Sequence, residues 1–199
     1  EIECSMIPPT VFICSVGGSS APIVTALKTL KPTFTCFVCT DGSPKTASIS
    51  QITGSGSCIK ASFKDDKPTL PNIPTQVGLI DGTYDTLIVE ADDPDSIHAS
   101  VRAKIGELRR LHSGAKFVVD YTGGTKSMTA SLMLAALEHS DIELQLVVGQ
   151  RQDLERVTDG TEVPMRANVD RIRFQSNWQV AMMPWRQFGY AQSVNSLEA

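Results

Sequence analysis

The stretch Thr122-Gly123-Gly124-Thr125-Lys126-Ser127 gathers two adjacent glycines, three hydroxyls and one cation within a single turn. The glycines remove Cβ atoms where a bulky group must approach the backbone. A helix starting there would point its first N–H groups outward, unpaired and at the positive end of its dipole. Such a combination can hold an anion, above all a phosphate. A tight strand-to-helix turn would need the glycines and a threonine cap alone; the lysine and the additional hydroxyls favour an anion site. The sequence is not an ordinary nucleoside triphosphate loop, because Thr125 rather than glycine precedes Lys126 and Asp120 stands where the first glycine is required.

The flanking residues supply a strand and a helix. Lys116 to Asp120 is a short β-branched and aromatic run, and Met128, Leu132, Ala135 and Ala136 recur at helical spacing. A second junction of this kind opens the chain. Val11 to Val16 reads as a buried strand, and Gly17-Gly18-Ser19-Ser20 leads into a helix striped by Ile23, Leu27 and Leu30, with Ser19 or Ser20 as cap and Pro32 as its end. Phe34 to Cys39 predicts the next strand, and Thr40, Asp41 and Ser43 lie in the turn after it, before a short helix through Ile52. Those turn residues serve equally as a helix cap or as ligand contacts.

Further along, Cys58 to Phe63 reads as a weak strand, and Lys64 to Pro74 as a surface loop that could form a lid. Thr86 to Glu90 is a strand, and Asp92, Asp93 and Asp95 cap a helix striped by Ile97, Val101, Ile105 and Leu108. Ile142 to Val148 is a strand ending in Gly149-Gln150-Arg151, and Arg156 to Val163 predicts a hairpin turned at Asp159-Gly160. Strands alternating with helices predict an α/β domain over residues 9–175, with a doubly wound, mainly parallel sheet and a C-terminal β-hairpin. Ligands in such sheets sit beyond the carboxyl ends of the strands, where the loops at Gly17, Thr40 and Thr122 would meet. Residues 176–199, apolar but aperiodic, predict a linker or the start of a segment that packs on a partner or leads into an effector.

Composition limits the alternatives. The 199 residues are 41% hydrophobic with net charge −4, which suits one globular domain and argues against a duplex nucleic-acid partner. No apolar run is long enough for a membrane span and no leader is evident, so a cytoplasmic setting is expected; Glu1 rather than Met opens the chain, as in a segment of a longer protein. Five cysteines at irregular spacing fit reduced thiols, and Cys36 and Cys39 fall on opposite faces of one strand. His98, His112 and His139 have no acidic or cysteine partner at ligand or triad spacing. No metal and no cofactor are expected.

Together these features resemble the CARF domain, the CRISPR-associated Rossmann-fold sensor of type III systems, over roughly Pro9 to Arg173. The fourth-strand motif of that family, Asp-x-Thr-Gly-Gly-Thr-Lys-x-Met, is present as Asp120, Thr122, Gly123, Gly124, Thr125, Lys126 and Met128. Gly17-Gly18-Ser19-Ser20 matches its first-strand loop, and Gly149-Gln150-Arg151 its Gly-x-Arg before a hairpin. The resemblance implies a Rossmann-like, doubly wound domain in a homodimer that binds a cyclic oligoadenylate across its two-fold axis and regulates an attached effector. Tetra-adenylate is the first expectation and hexa-adenylate the second. The implied ligand contacts are Gly17, Gly18, Ser19, Ser20, Thr40, Asp41, Ser43, Thr122, Gly123, Gly124, Thr125, Lys126, Ser127 and Arg151. An enzymatic alternative is a metal-independent ring nuclease using a ribose 2′-hydroxyl, with Lys126, Ser20 and Thr122 as candidate stabilisers. The effector, or a membrane helix ahead of Glu1, would lie outside this segment.

Overall fold

The computed structural model describes residues 8–42, 47–53, 57–59, 70–149, 161 and 163–198. The chain divides into two compact units, Glu1–Arg166 and Ala167–Ala199.

The first unit is built on a six-stranded sheet. Its strands are β1 (Thr10–Ser15), β2 (Phe34–Cys39), β5 (Tyr84–Ile88), β6 (Lys116–Asp120), β7 (Ile142–Val148) and β8 (Val163–Arg166), in the order β5-β2-β1-β6-β7-β8. All neighbours are parallel except β7 and β8, which are antiparallel. The hairpin expected over Arg156 to Val163, with its turn at Asp159-Gly160, lies, but for Thr161 and Val163, outside the described residues. Two short strands, β3 (Ser57–Ile59) and β4 (Leu70–Pro71), form a separate antiparallel pair instead of extending the main sheet.

Helices α1 (Ala21–Leu30), α2 (Ser50–Thr53), α3 (Ile73–Val77), α4 (Pro94–Leu111) and α5 (Lys126–Leu137) fill the connections. The expected loop through Pro74 thus gives way to a helix at Ile73, capped by Asn72, whose side chain accepts from Thr75 N at 2.9 Å. From β1 the chain steps outward through α1 to β2, and from β6 it steps the other way through α5 to β7. Right-handed crossovers in opposite directions place the two helices on opposite faces of the sheet.

The packing matches. Phe12, Cys14, Phe37, Cys39 and Val118 form one core with Ile23, Ala26 and Leu27 of α1. Alternation sends Val11, Ile13, Phe117 and Val119 to the other face, where α4 packs on α5. The stripe Ile97, Val101, Ile105, Leu108 of α4 and the residues Met128, Leu132, Ala135, Ala136 of α5 are buried, as their spacing predicted. Cys39 lies in the first core while Cys36 lies on the face of Lys104, and burial pushes both thiols up to about 12.

The second unit contains α6 (Asp170–Arg186) and α7 (Tyr190–Glu198). Residues 176–199, expected as a linker or as the start of an effector or partner-packing segment, lie largely within these helices. The pattern hid them because Ile172, Phe174, Trp178, Val180 and Met183 fall around α6 without a single stripe, and Pro184 sits inside it. Phe174 stacks with Trp178 one turn on in α6 at 6.1 Å, and Trp185 near the end of α6 is edge-on to Tyr190, the first residue of α7, at 4.7 Å between centroids.

Leu132 is fully buried on α5, the helix that begins at the glycine pair. Leu132→Ala is expected to lower unfolding free energy by about 2–5 kcal/mol, measured by denaturant titration at unchanged m-value.

Candidate functional site

β1 and β6 are adjacent, and the chain leaves them in opposite directions; the crevice between their carboxyl ends is the switch point of the sheet. The loops that follow them, Gly17–Ser20 and Tyr121–Thr125, meet there in backbone contact. A Cβ on Gly17 would lie 2.5 Å from Gly124 N, and one on Gly123 would lie 2.6 Å from Ser15 O. Gly124 has φ +91°, which strains any side chain. Gly123 and Gly124 admit the first loop, and the Cβ position of Gly18 is open, with nothing within 4 Å.

Hydrogen bonds fix this junction. Ser15 Oγ donates to Gly123 O at 2.5 Å, and Thr129 Oγ1 donates to the same oxygen at 3.0 Å. Thr125 caps α5 by accepting from Met128 N at 3.2 Å while donating to Ala91 O at 2.5 Å. Asp120 is buried at the end of β6, accepting from Thr122 N at 2.9 Å and from Gln145 Nε2 at 3.0 Å. Its burial raises the carboxyl above its ordinary range, and these hydrogen bonds oppose the shift. Thr122 Oγ1 accepts from Val147 N at 2.7 Å, fastening the loop to β7. Gln51 of α2 donates its amide to Gly17 O. The hydroxyls of Thr122 and Thr125 are therefore committed to the scaffold.

The groups left over all suit an anion. Among the described residues, the N–H groups of Gly17, Gly18, Gly124, Lys126 and Ser127 donate to no protein acceptor. Neither α1 nor α5 has an acidic residue in its first turn, whereas α4 has Asp95. Lys126 is exposed at the first position of α5, without an ion pair among the described residues. A cation at a helix N-terminus opposes the macrodipole, so the charge of Lys126 does not help to stabilise α5. Ser20 is 3% exposed and stands at the cap position of α1 without a side-chain cap bond. Ser19 and Gly18 are exposed beside it.

The third loop is more structural than expected. Thr40 is buried and closes its own loop, its N–H donating to Ser48 Oγ at 3.0 Å and its hydroxyl accepting from Ser48 N at 3.2 Å. Asp41 is exposed. Ser43 and Arg151 lie outside the described residues. Asp93 is the N-cap of α4, accepting from Ser96 N at 3.1 Å, as its acidic cluster predicted.

One reading of the histidines changes. His98 has an acidic partner after all, Glu138 at 2.9 Å, which also pairs with Arg102 at 2.9 Å. The partner is 40 residues away on the neighbouring helix, beyond the reach of local spacing. Among the described residues no group of three or more His, Cys, Asp or Glu side chains could hold a metal ion, and no helix is long and apolar enough to cross a membrane.

Sequence reasoning missed Ser15, Gln51, Thr129 and Gln145. Ser15 carried a usable signal, a polar residue inside the apolar run Val11 to Val16. Gln51, Thr129 and Gln145 had none, because their partners are set by tertiary packing.

The two glycines of the first loop should therefore separate fold from ligand contact. Gly17→Ala, whose Cβ meets backbone at 2.5 Å, is expected to lower the melting temperature by several degrees; Gly18→Ala, in open space, is expected to melt like the parent. Thermal unfolding of both variants checks this.

No protein-family model matches the chain, and no curated protein matches its sequence. Solved structures do. Enterococcus italicus Csm6 bound to cyclic hexa-2′-fluoro-hexa-dAMP superimposes with a TM-score of 0.64 at 8% identity, covering 96% of this chain and 50% of that one. Can2 from Sulfobacillus thermosulfidooxidans in complex with cyclic tetra-adenylate gives a TM-score of 0.46 at 12% identity, covering 69% of this chain and 32% of that one. The chain thus spans half the length of Csm6. At this identity the likeness establishes the fold, a six-stranded, mostly parallel Rossmann-like sheet flanked by helices, and it agrees with the resemblance to CARF domains carried by Asp120 to Met128.

Proposed function

We propose that this chain is the cyclic oligoadenylate sensor domain of a type III CRISPR effector. The observation that carries the reading is the pair of unsatisfied N–H arrays from the β1 and β6 loops, joined by Lys126 at the switch point of the sheet. Phosphodiesters match this set: each carries one negative charge and acceptor oxygens, and adjacent phosphates can span two loops. Csm6, with the same fold, is a protein bound to a cyclic oligonucleotide, which supports the choice of a cyclic ligand over a free nucleotide. Tetra- and hexa-adenylate are both compatible with a two-fold receptor.

The ligand sits between two copies of the chain. One subunit offers a single Lys126 and one pair of glycine loops, little positive charge for four or more phosphates on a chain of net charge −4. A two-fold dimer doubles the donors and presents identical half-sites to a ring with an even number of units. The bound ring then biases an effector outside this segment, so the domain senses and the effector acts.

Titration calorimetry with cyclic tetra-adenylate and cyclic hexa-adenylate, followed by chromatography of the recovered ring, tests the reading. Binding of either intact ring supports it, and no binding of either rejects it. Lys126→Ala is expected to weaken binding about 10- to 100-fold with unchanged melting temperature, the worth of one charge-assisted contact. Affinity equal to the parent at moderate salt would show that Lys126 does not touch the ligand. Solution mass together with the titration is expected to give a dimer holding one ring; a monomer binding one ring per chain at full affinity would rule the two-fold arrangement out.

A further inference from the structure

We infer that Ser15 and Thr129 are positioning residues for the ligand, acting through one peptide unit, Gly123–Gly124; the inference rests on the sensor reading above. The Gly123 carbonyl accepts two hydroxyl donors from different elements, Ser15 Oγ at 2.5 Å from the end of β1 and Thr129 Oγ1 at 3.0 Å from the second turn of α5. Two donors fill both lone pairs of that oxygen and define its direction. The peptide is trans, so the N–H of Gly124 must point the opposite way from the carbonyl. That N–H has no protein acceptor among the described residues, and it lies at the contact between the two loops.

The glycines are what make this clamp necessary. A Gly–Gly peptide rotates more readily than any other, because neither flanking residue has a Cβ to restrict it, and φ +91° at Gly124 is one of several conformations open to glycine. Turned by half a rotation, the unit would present a carbonyl oxygen where it now presents an N–H. A phosphate would then face a negative dipole instead of a positive one. Ser15 and Thr129 hold the orientation that attracts an anion. Neither is required to touch the ligand, and neither caps a helix or fills a hydrophobic core position.

This role differs from loop stability and can be separated from it. Thr129→Val removes the hydroxyl at nearly constant volume, and Thr129→Ser keeps it; Ser15→Ala provides the second, independent removal. Each full-length variant is titrated with cyclic tetra-adenylate and cyclic hexa-adenylate, its melting temperature is measured, and the Gly124 amide is followed by NMR in glycine-labelled protein. We expect Thr129→Val and Ser15→Ala each to weaken binding about tenfold or more, the loss of one N–H to phosphate contact. Thr129→Ser should bind like the parent, and the Gly124 amide proton should move downfield on ligand addition in the parent and Thr129→Ser but not in Thr129→Val. Parent-like affinity in both removal variants, or an unmoved Gly124 amide in the parent despite ring binding, would overturn the positioning role. Weakened binding that tracks a fall in melting temperature and is not restored by Thr129→Ser would overturn it too, as mere loop stability. Failure of the parent itself to bind either ring would instead reject the sensor reading, and with it the role that rests on it.

Discussion

The site depends on one close contact, the backbone of the β1 loop lying against the backbone of the β6 loop. Two peptide chains can approach so nearly only where side chains are missing, and here Gly17, Gly123 and Gly124 are all needed because a Cβ on any one would meet atoms of the other loop or of α5 within 3.2 Å. The contact brings the N-terminal ends of α1 and α5 to one crevice from opposite faces of the sheet. Each helix start brings unpaired N–H groups, and together they make a patch of positive potential on a chain whose net charge is negative. Donors of this kind are fixed by the backbone and would lose little freedom in binding an anion.

Most of the fold could be read from the sequence because its strongest signals are local. Apolar stripes at 3.6-residue spacing gave α1, α4 and α5, and β-branched runs gave β1, β2, β6 and β7. The acidic cap before α4 and the opposite facing of Cys36 and Cys39 followed from the same local rules. What was not legible depends on tertiary placement or lacks a clean period. The small β3–β4 pair, α3 after Asn72, and the helices α6 and α7 belong to this class. So do His98 and Glu138, whose pairing exists only because α4 packs on α5.

The place of the candidate site was legible in the sequence, and the hydrogen bonds its side chains make within the fold were not. Residue types pointed to the crevice between β1 and β6 through glycine, hydroxyl and lysine at a strand-to-helix turn. They could not divide those residues between holding the ligand and holding the loop. Thr122, Thr125 and Thr40 have the chemistry of phosphate contacts, yet their hydroxyls bind Val147 N, Ala91 O and Ser48. A threonine hydroxyl serves either role equally, and only the position of its neighbours decides between them.

These same bonds link the crevice to the elements around it. Thr125 ties the start of α5 to Ala91 beyond β5, and Ser131 Oγ donates to Pro94 O at 2.8 Å, the first residue of α4. Farther along, Glu138 receives both His98 and Arg102. The start of α5 is therefore tied to the loop before α4, and two further contacts, at Pro94 and at Glu138, join α5 to α4 along a buried apolar seam. On the other face Gln51 links the β1 loop to α2. Each of the two loops at the crevice thus has its own set of attachments. Coupling between sites needs such discrete, packed elements rather than a continuous deformation. The α4–α5 pair, tied through Thr125 to the loop that carries Lys126, is one such packed element at the crevice.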